Sequence, residues 1–253
     1  MELPLTFFRK DFSMKKRITI LSGAGISAES GISTFRDSDG LWEHHRIEDV
    51  ATPQAWQRNP KLVLEFYNLR RKQLMEVEPN AAHVAITQLQ QKFDVEVITQ
   101  NVDDLHERAG NKNVLHLHGE LKKVRSTAHS FTVYDLDSLS RQGGSWELLM
   151  GDVCENGHQL RPHIVWFGEE VPNLPIAAQI VSESDAVIIV GTSLNVYPAA
   201  SLYQYAKPNC PIWIIDPKAN ELVYPKSITP ITEKAGIALP KLIQSLLEEK
   251  IVL

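Results

Sequence analysis

The sequence predicts an α/β protein: a doubly wound parallel sheet with a second, smaller module inserted in it. Three observations carry this expectation. Short apolar runs rich in β-branched residues occur at 18–21 (ITIL), 95–99 (VEVIT), 186–190 (AVIIV) and 212–215 (IWII), each followed by polar or Gly/Pro residues and then a helical pattern. Strands alternating with helices imply parallel pairing with helices on both faces. Finally, 253 residues, 43% of them apolar, are enough to bury roughly three quarters of the unfolded surface without disulfide staples.

Residues 1–13 match no periodic template and read as an N-terminal extension, so the folded body starts near Lys16. The first strand, 18–21, ends in the glycine loop Gly23-Ala24-Gly25-Ile26. Thr52-Pro53 and Asn59-Pro60 each set an N-cap residue before a proline, and Asn80 caps a further helix over 81–92. A strand over 114–117 precedes His118-Gly119. Between 121 and 163 the pattern breaks into short polar and aromatic pieces, too long for an ordinary loop. The predicted organisation is a large domain over 14–120 and 164–253, interrupted by a small module over 121–163.

The glycine loop lies at a strand-to-helix turn, where backbone can approach a pyrophosphate and a helix N-terminus offers free N–H groups. Ala28 stands where the third glycine of a dehydrogenase fingerprint would fall, and no acidic residue follows at the usual distance. Phe35 and Arg36 continue a polar, glycine-bearing stretch able to cover a ligand, with Phe35 excluding water and Arg36 facing phosphate or carboxylate. Gln100, Asn101, Asp103 and Asp104 follow the strand at 95–99, at the sheet edge where α/β proteins bind ligands. Asp103 and Asp104 are equally expected at a helix start for dipole reasons alone. Of nine histidines, His44, His45, His106 and His129 read as surface residues. His118, with Gly119 leaving access beside it, is the candidate general base.

Taken together, GAGISAESGISTFR (23–36), TQNVDDLHERAG (99–110), HLHGEL (116–121), VWFGE (165–169), GTS (191–193) and NVYPAA (195–200) resemble the sirtuins, NAD-dependent protein lysine deacylases. The stretch 34–56 is most similar to class III members, which include desuccinylases. The resemblance implies a Rossmann-like NAD-binding domain of the deoxyhypusine-synthase-like type. It implies that backbone at Gly23, Ala24, Gly25 and Ile26 holds the pyrophosphate, and that Phe35, Arg36, Trp42, Gln100, Asn101 and Asp103 surround the nicotinamide and its ribose. Gly191, Thr192 and Ser193 would contact the adenosine side, with Asp216, Lys218 and Ala235 near the adenine. Family members usually carry an asparagine near Asp216. Val165, Phe167, Gly168 and Glu169 would offer a strand edge to an extended acyl-lysine peptide. In the reaction so implied, the acyl oxygen displaces nicotinamide from the ribose and His118 deprotonates a ribose hydroxyl, with Asn101 and Asp103 beside it. Free lysine and O-acyl-ADP-ribose result. Two other readings share the NAD site: an NAD glycohydrolase or ADP-ribosyltransferase, and a non-catalytic NAD or ADP-ribose sensor.

The helix over 61–76 has apolar positions Leu62, Val63, Leu64, Phe66, Leu69 and Leu74, with Tyr67 and Arg70 together on one stripe. A guanidinium beside a phenol suits a carboxylate, and the class III resemblance makes this pair the reader of a succinyl or malonyl chain. Sirtuins usually build the small module around four cysteines and one zinc. Here Ser126 occupies the first position and only Cys154 lies within 121–163, so Cys₄ ligation within one chain is excluded. Zinc is therefore expected to be absent, with Phe131, Val133, Tyr134, Leu136, Leu139, Trp146, Leu148 and Leu149 packing in its place. Two cysteines, no long apolar run and 26 basic against 31 acidic residues lead to an expected cytoplasmic monomer that engages neither membrane nor nucleic acid.

Overall fold

The computed structural model describes residues 15–33, 41–42, 45–128, 132–139, 146–251 and 253. Its strands in chain order are β1 (Arg17–Ser22), β2 (Leu41–Trp42), β3 (His45–Arg46), β4 (Asp94–Thr99), β5 (Val114–His116) and β6 (Gly119–Ser126). Then come β7 (Val133–Asp135), β8 (Leu160–Ile164), β9 (Ala186–Val190), β10 (Ile212–Ile215) and β11 (Ile228–Ile231). The α-helices are α1 (Gly25–Ala28), α2 (Ile47–Val50), α3 (Pro53–Arg58), α4 (Pro60–Glu76), α5 (Ala81–Leu89), α6 (Leu105–Arg108), α7 (Leu174–Glu183) and α8 (Ala235–Leu247). None of them is long and apolar enough to cross a membrane.

Six strands form one parallel sheet in the order β11-β10-β9-β1-β4-β5. The order reverses at β1, which pairs with β4 on one side and β9 on the other, and a reversal of this kind opens a crevice at the carboxyl ends of the strands. Alternate residues of the central strands feed two cores. Ile18 and Ile20 pack with α5 and α8, whereas Leu21, Ile98 and Val187 pack with α7. The predicted caps form: Thr52, Asn59 and Asn80 accept the backbone N–H groups of Ala55, Leu62 and Ala82 at 3.0, 3.2 and 2.9 Å. Helix α5 ends at Leu89 rather than Lys92, and β5 at His116 rather than Leu117.

A second, antiparallel sheet, β7-β6-β8, carries the small module. Its core contains Val124, Leu136, Leu148, Cys154 and Leu160, together with Leu64 of α4. The side-chain amide of Asn68 bonds both the carbonyl and the N–H of Leu148, at 3.0 Å each. Helix α4, within the range predicted for the large domain, thus packs on the module and links it to the crevice. Of the residues expected to replace zinc, Val133, on the edge strand β7, and Leu149, outside any helix or strand, are exposed; Phe131 lies outside the described residues. Leu69, counted among the apolar positions of α4, also faces solvent.

Candidate functional site

One cavity of about 640 Å³ lies at the carboxyl ends of the parallel strands. Gly23, Ala24, Gly25, Gln100, Asn101, Asp103, His118, Gly191, Thr192 and Ser193 line it, as do Asp216, Lys218 and Ala235. Tyr67, Arg70, Val165, Phe167, Gly168 and Glu169 line the same cavity. Ile26 does not: its side chain is fully buried in the core and its N–H bonds the Gly23 carbonyl at 3.1 Å. Phe35 and Arg36 lie outside the described residues; Trp42 is described in backbone only, within β2.

The glycine loop is shaped by its neighbour. Gly23 N–H bonds the Val190 carbonyl at 3.0 Å and Gly25 N–H the Gly191 carbonyl at 2.8 Å. A Cβ on Gly25 would sit 2.7 Å from Gly191 Cα, and one on Gly191, whose φ is +64°, would sit 2.3 Å from Ile26 N. The glycines therefore let the loops after β1 and β9 cross backbone to backbone. The sequence expectation of a helix N-terminus with free N–H groups is corrected here. Helix α1 is a single turn, its first donors are bonded within the two loops, and one turn sums only a small dipole.

Behind the loop lies a hub that sequence reasoning missed. The Ser27 hydroxyl donates to Asp103 Oδ2 at 3.0 Å and accepts from Asn101 Nδ2 at 3.0 Å. Asn101 also donates to the Gly23 carbonyl at 3.2 Å. Burial raises the Asp103 carboxyl above its ordinary value, against the N–H of Leu105 and the hydroxyl of Ser27. Asp104 does not line the cavity; it pairs with Lys122 at 2.7 Å and Arg108 at 3.8 Å. Gln100 Nε2 reaches Thr192 Oγ1 at 3.3 Å and so joins the two loops from the other side.

His118 Nδ1 lies 3.0 Å from the Gln100 carbonyl. A carbonyl only accepts, so Nδ1 carries the proton and Nε2 keeps its lone pair. Burial pushes this imidazole below its ordinary pKa, with the Gln100 bond opposing. His116, two residues earlier, is spent structurally between the Asn101 carbonyl at 2.9 Å and Glu107 at 2.8 Å. Burial lowers it, but the bond and charge of Glu107 outweigh burial and hold it above its ordinary value. Gly119 proves to be required by packing: φ is +84°, and a Cβ would fall 2.0 Å from the His163 carbonyl. His106, read as a surface residue, is buried with Nε2 2.9 Å from Ser22 Oγ, its ring edge against His83. Nothing in a four-residue helix distinguishes its inward face by periodicity.

The stretch after β8 is also corrected. Residues 165–169 form no strand; the chain turns at Gly168, whose φ is +92°. Val165 N–H is held by the His118 carbonyl at 2.9 Å and Phe167 N–H by the Ala51 carbonyl at 3.0 Å. The Glu169 carboxylate accepts from Arg161 at 2.7 and 3.0 Å, from Arg125 at 3.1 Å and from Trp166 N–H at 2.8 Å. It is a clamp from this turn to β6 and β8. At the far wall Tyr67 is fully buried and Arg70 nearly so. Burial pushes the Tyr67 phenol up to about 12, against the Trp166 bond and the Arg70 charge. In the module, Cys154 Sγ donates to Ser126 Oγ at 3.5 Å. Among the described residues no group of three or more His, Cys, Asp or Glu is placed to hold a metal ion.

A sequence profile of the Sir2 family matches residues 23–198. The chain is 52% identical over 235 residues to an NAD-dependent protein deacylase of Helicobacter pylori, covering 92% of this chain and 98% of that one. A solved Sir2 homologue in complex with NAD superposes with a TM-score of 0.79 at 37% identity, over 93% and 91% of the two chains. A Sir2 protein bound to an acetylated peptide gives 0.70 at 26% identity, over 94% of each.

Proposed function

The chain belongs to the Sir2 family and is an NAD-dependent protein deacylase, and from that premise we propose that lysines bearing succinyl or malonyl groups are its preferred substrates, ahead of acetyl-lysine. The observation that carries this is the burial of Tyr67 and Arg70, one helical turn apart on α4, in the wall of the cavity that also holds His118. A guanidinium fork with a phenol beside it matches a carboxylate, and a water-poor wall strengthens that pairing.

NAD fits the remaining wall. A cavity of about 640 Å³ lies within the usual range for such ligands, and the crossed glycine loops form part of its lining. When bound, NAD supplies the electrophilic ribose carbon and the nicotinamide leaving group. On this reading Gly23, Ala24 and Gly25 approach the pyrophosphate, Thr192 and Ser193 with Asp216, Lys218 and Ala235 hold the adenosine side, and Asn101 and Asp103 orient the reacting ribose. His118 accepts a hydroxyl proton at Nε2, because Nδ1 is tied to Gln100. Phe35, Arg36 and Trp42 cover the nicotinamide. Val165, Phe167 and Gly168 meet the peptide, while Glu169 holds their turn in shape. The small module stands without zinc, and the enzyme works as a cytoplasmic monomer with neither nucleic acid nor membrane as partner.

Nicotinamide release from NAD with succinyl-, malonyl- and acetyl-lysine peptides tests this reading. Arg70→Met is expected to lower desuccinylation at least tenfold and deacetylation far less; unchanged desuccinylation by a folded variant defeats the acyl preference. Equal nicotinamide release with and without peptide would make the chain a glycohydrolase.

A further inference from the structure

The Tyr67 hydroxyl has one donor and two acceptor positions. Trp166 Nε1–H donates to it at 3.1 Å, which fills one acceptor position and leaves the phenolic proton to find its own partner. Among the described residues no acceptor receives that proton, although Tyr67 is fully buried and faces the cavity. A buried hydroxyl in that state is a donor waiting for a ligand, because an unmet buried donor is costly.

Trp166 is itself held from outside the site. The Arg161 guanidinium stacks on its ring with Cζ 3.3 Å from the centroid, and Arg161 is fixed by Glu169 and by the Ile164 carbonyl at 2.8 Å. Arg161 lies on β8 of the small module. The line Glu169–Arg161–Trp166–Tyr67 thus joins the module to the wall of the cavity.

The geometry points to Trp166 as a specificity-determining positioning residue: its indole N–H orients the Tyr67 hydroxyl so that the phenol donates to the carboxylate of an acidic acyl group. This inference rests on the proposed preference for such groups and names the part that aims one of its two readers. An uncharged acetyl group offers no second acceptor, so the indole bond matters for acidic chains alone.

The test is Trp166→Phe, which keeps an aromatic ring under Arg161 and the backbone N–H that bonds Glu169 but removes the indole donor. Kinetics with succinyl- and acetyl-lysine peptides are expected to show the succinyl-over-acetyl ratio of kcat/KM falling five- to tenfold, through a higher KM for the succinyl peptide. Combining it with Tyr67→Phe should add little further loss, since both act through one hydroxyl. A fall shared equally by both peptides, or losses that multiply in the double variant, overturns the inference. Trp166→Leu, which also lacks a side-chain donor, with thermal unfolding as the check on folding, serves if the Phe variant fails to fold. Should Arg70→Met abolish the preference while Trp166→Phe spares the ratio, only this inference fails; if Arg70→Met changes nothing, the acyl preference itself falls.

Discussion

In the six-stranded sheet every pairing is parallel and β9 is buried along its whole length, whereas the three-stranded sheet is antiparallel and presents Val133 to solvent. The first is held by two apolar cores and by loops that cross at glycines. Among the described residues the second has a thin core of six buried residues, Leu64, Val124, Leu136, Leu148, Cys154 and Leu160, reinforced by the Arg125–Arg161–Glu169 ion pairs. On the proposed reading the chemistry would follow the same division. His118, Asn101 and Asp103 stand at the ends of the rigid sheet, while the residues that would choose the acyl group lie on the elements tied to the module. A rigid sheet can keep reacting groups in register while a lightly built module varies what they act on.

The sharpest way to break this comparison is at the reacting end. His118→Ala should lower deacylation by about 10²–10⁴-fold, the usual contribution of a positioned general base, while NAD-dependent protection against thermal unfolding persists. Loss of that protection would mean His118 supports the fold or the binding rather than the reaction.

Next come the glycines. Gly191→Ala forces a side chain 2.3 Å from Ile26 N and should cost about 3 kcal/mol or prevent folding. Gly157→Ala in the module has a φ of +78° but nothing within 4 Å, so only the left-handed backbone is strained, at ~1 kcal/mol. Denaturant midpoints for the two variants would test whether the crossing, rather than glycine conformation as such, holds the large domain.

Acid should loosen the same region. Burial holds His83 at about 4 and His106 well below its ordinary value, whereas both titrate near ~6.5 when unfolded. The unfolded chain therefore takes up protons that the folded chain refuses. Stability is complete above ~6.5 and declines toward pH 4, by up to ~1.4 kcal/mol per pH unit for each proton. His163, held at about 4, and His118, held below its ordinary value, steepen this decline, whereas His116, raised by Glu107, differs between the two states only above ~6.5 and does not offset it. Urea titrations across this range should show the slope fall by about one proton in His83→Gln. The smallest effect belongs to the module: a chelator should leave the unfolding temperature unchanged, and elemental analysis finding one zinc per chain would reverse that expectation.

Much of the large sheet is legible in the sequence because fully buried parallel strands announce themselves as unbroken apolar runs, as 186–190 does. Tyr67 and Arg70 are legible for a different reason: a 17-residue helix is long enough for periodicity to define a stripe. Ser27 was not legible, since its partners Asn101 and Asp103 lie over seventy residues away and its neighbours suggest only an ordinary helix start. His106 reads as a surface residue, although it is buried, because a four-residue helix shows no period. The resemblance implies a strand edge at residues 165–169, and only the hydrogen bonds of Val165 and Phe167 reveal that these two donors are already engaged within the chain.

The bond from Gly25 to Gly191 closes a loop of 191 − 25 = 166 residues. Contacts so distant in sequence are slow to form and come after local structure. The loop crossing proposed to hold the nucleotide therefore has no counterpart in the first two thirds of a growing polypeptide, however well β1, β4 and β5 have already paired. A chain released before β9 emerges can bury part of its core without acquiring a working site, so NAD binding during refolding would report completion of the topology rather than its onset.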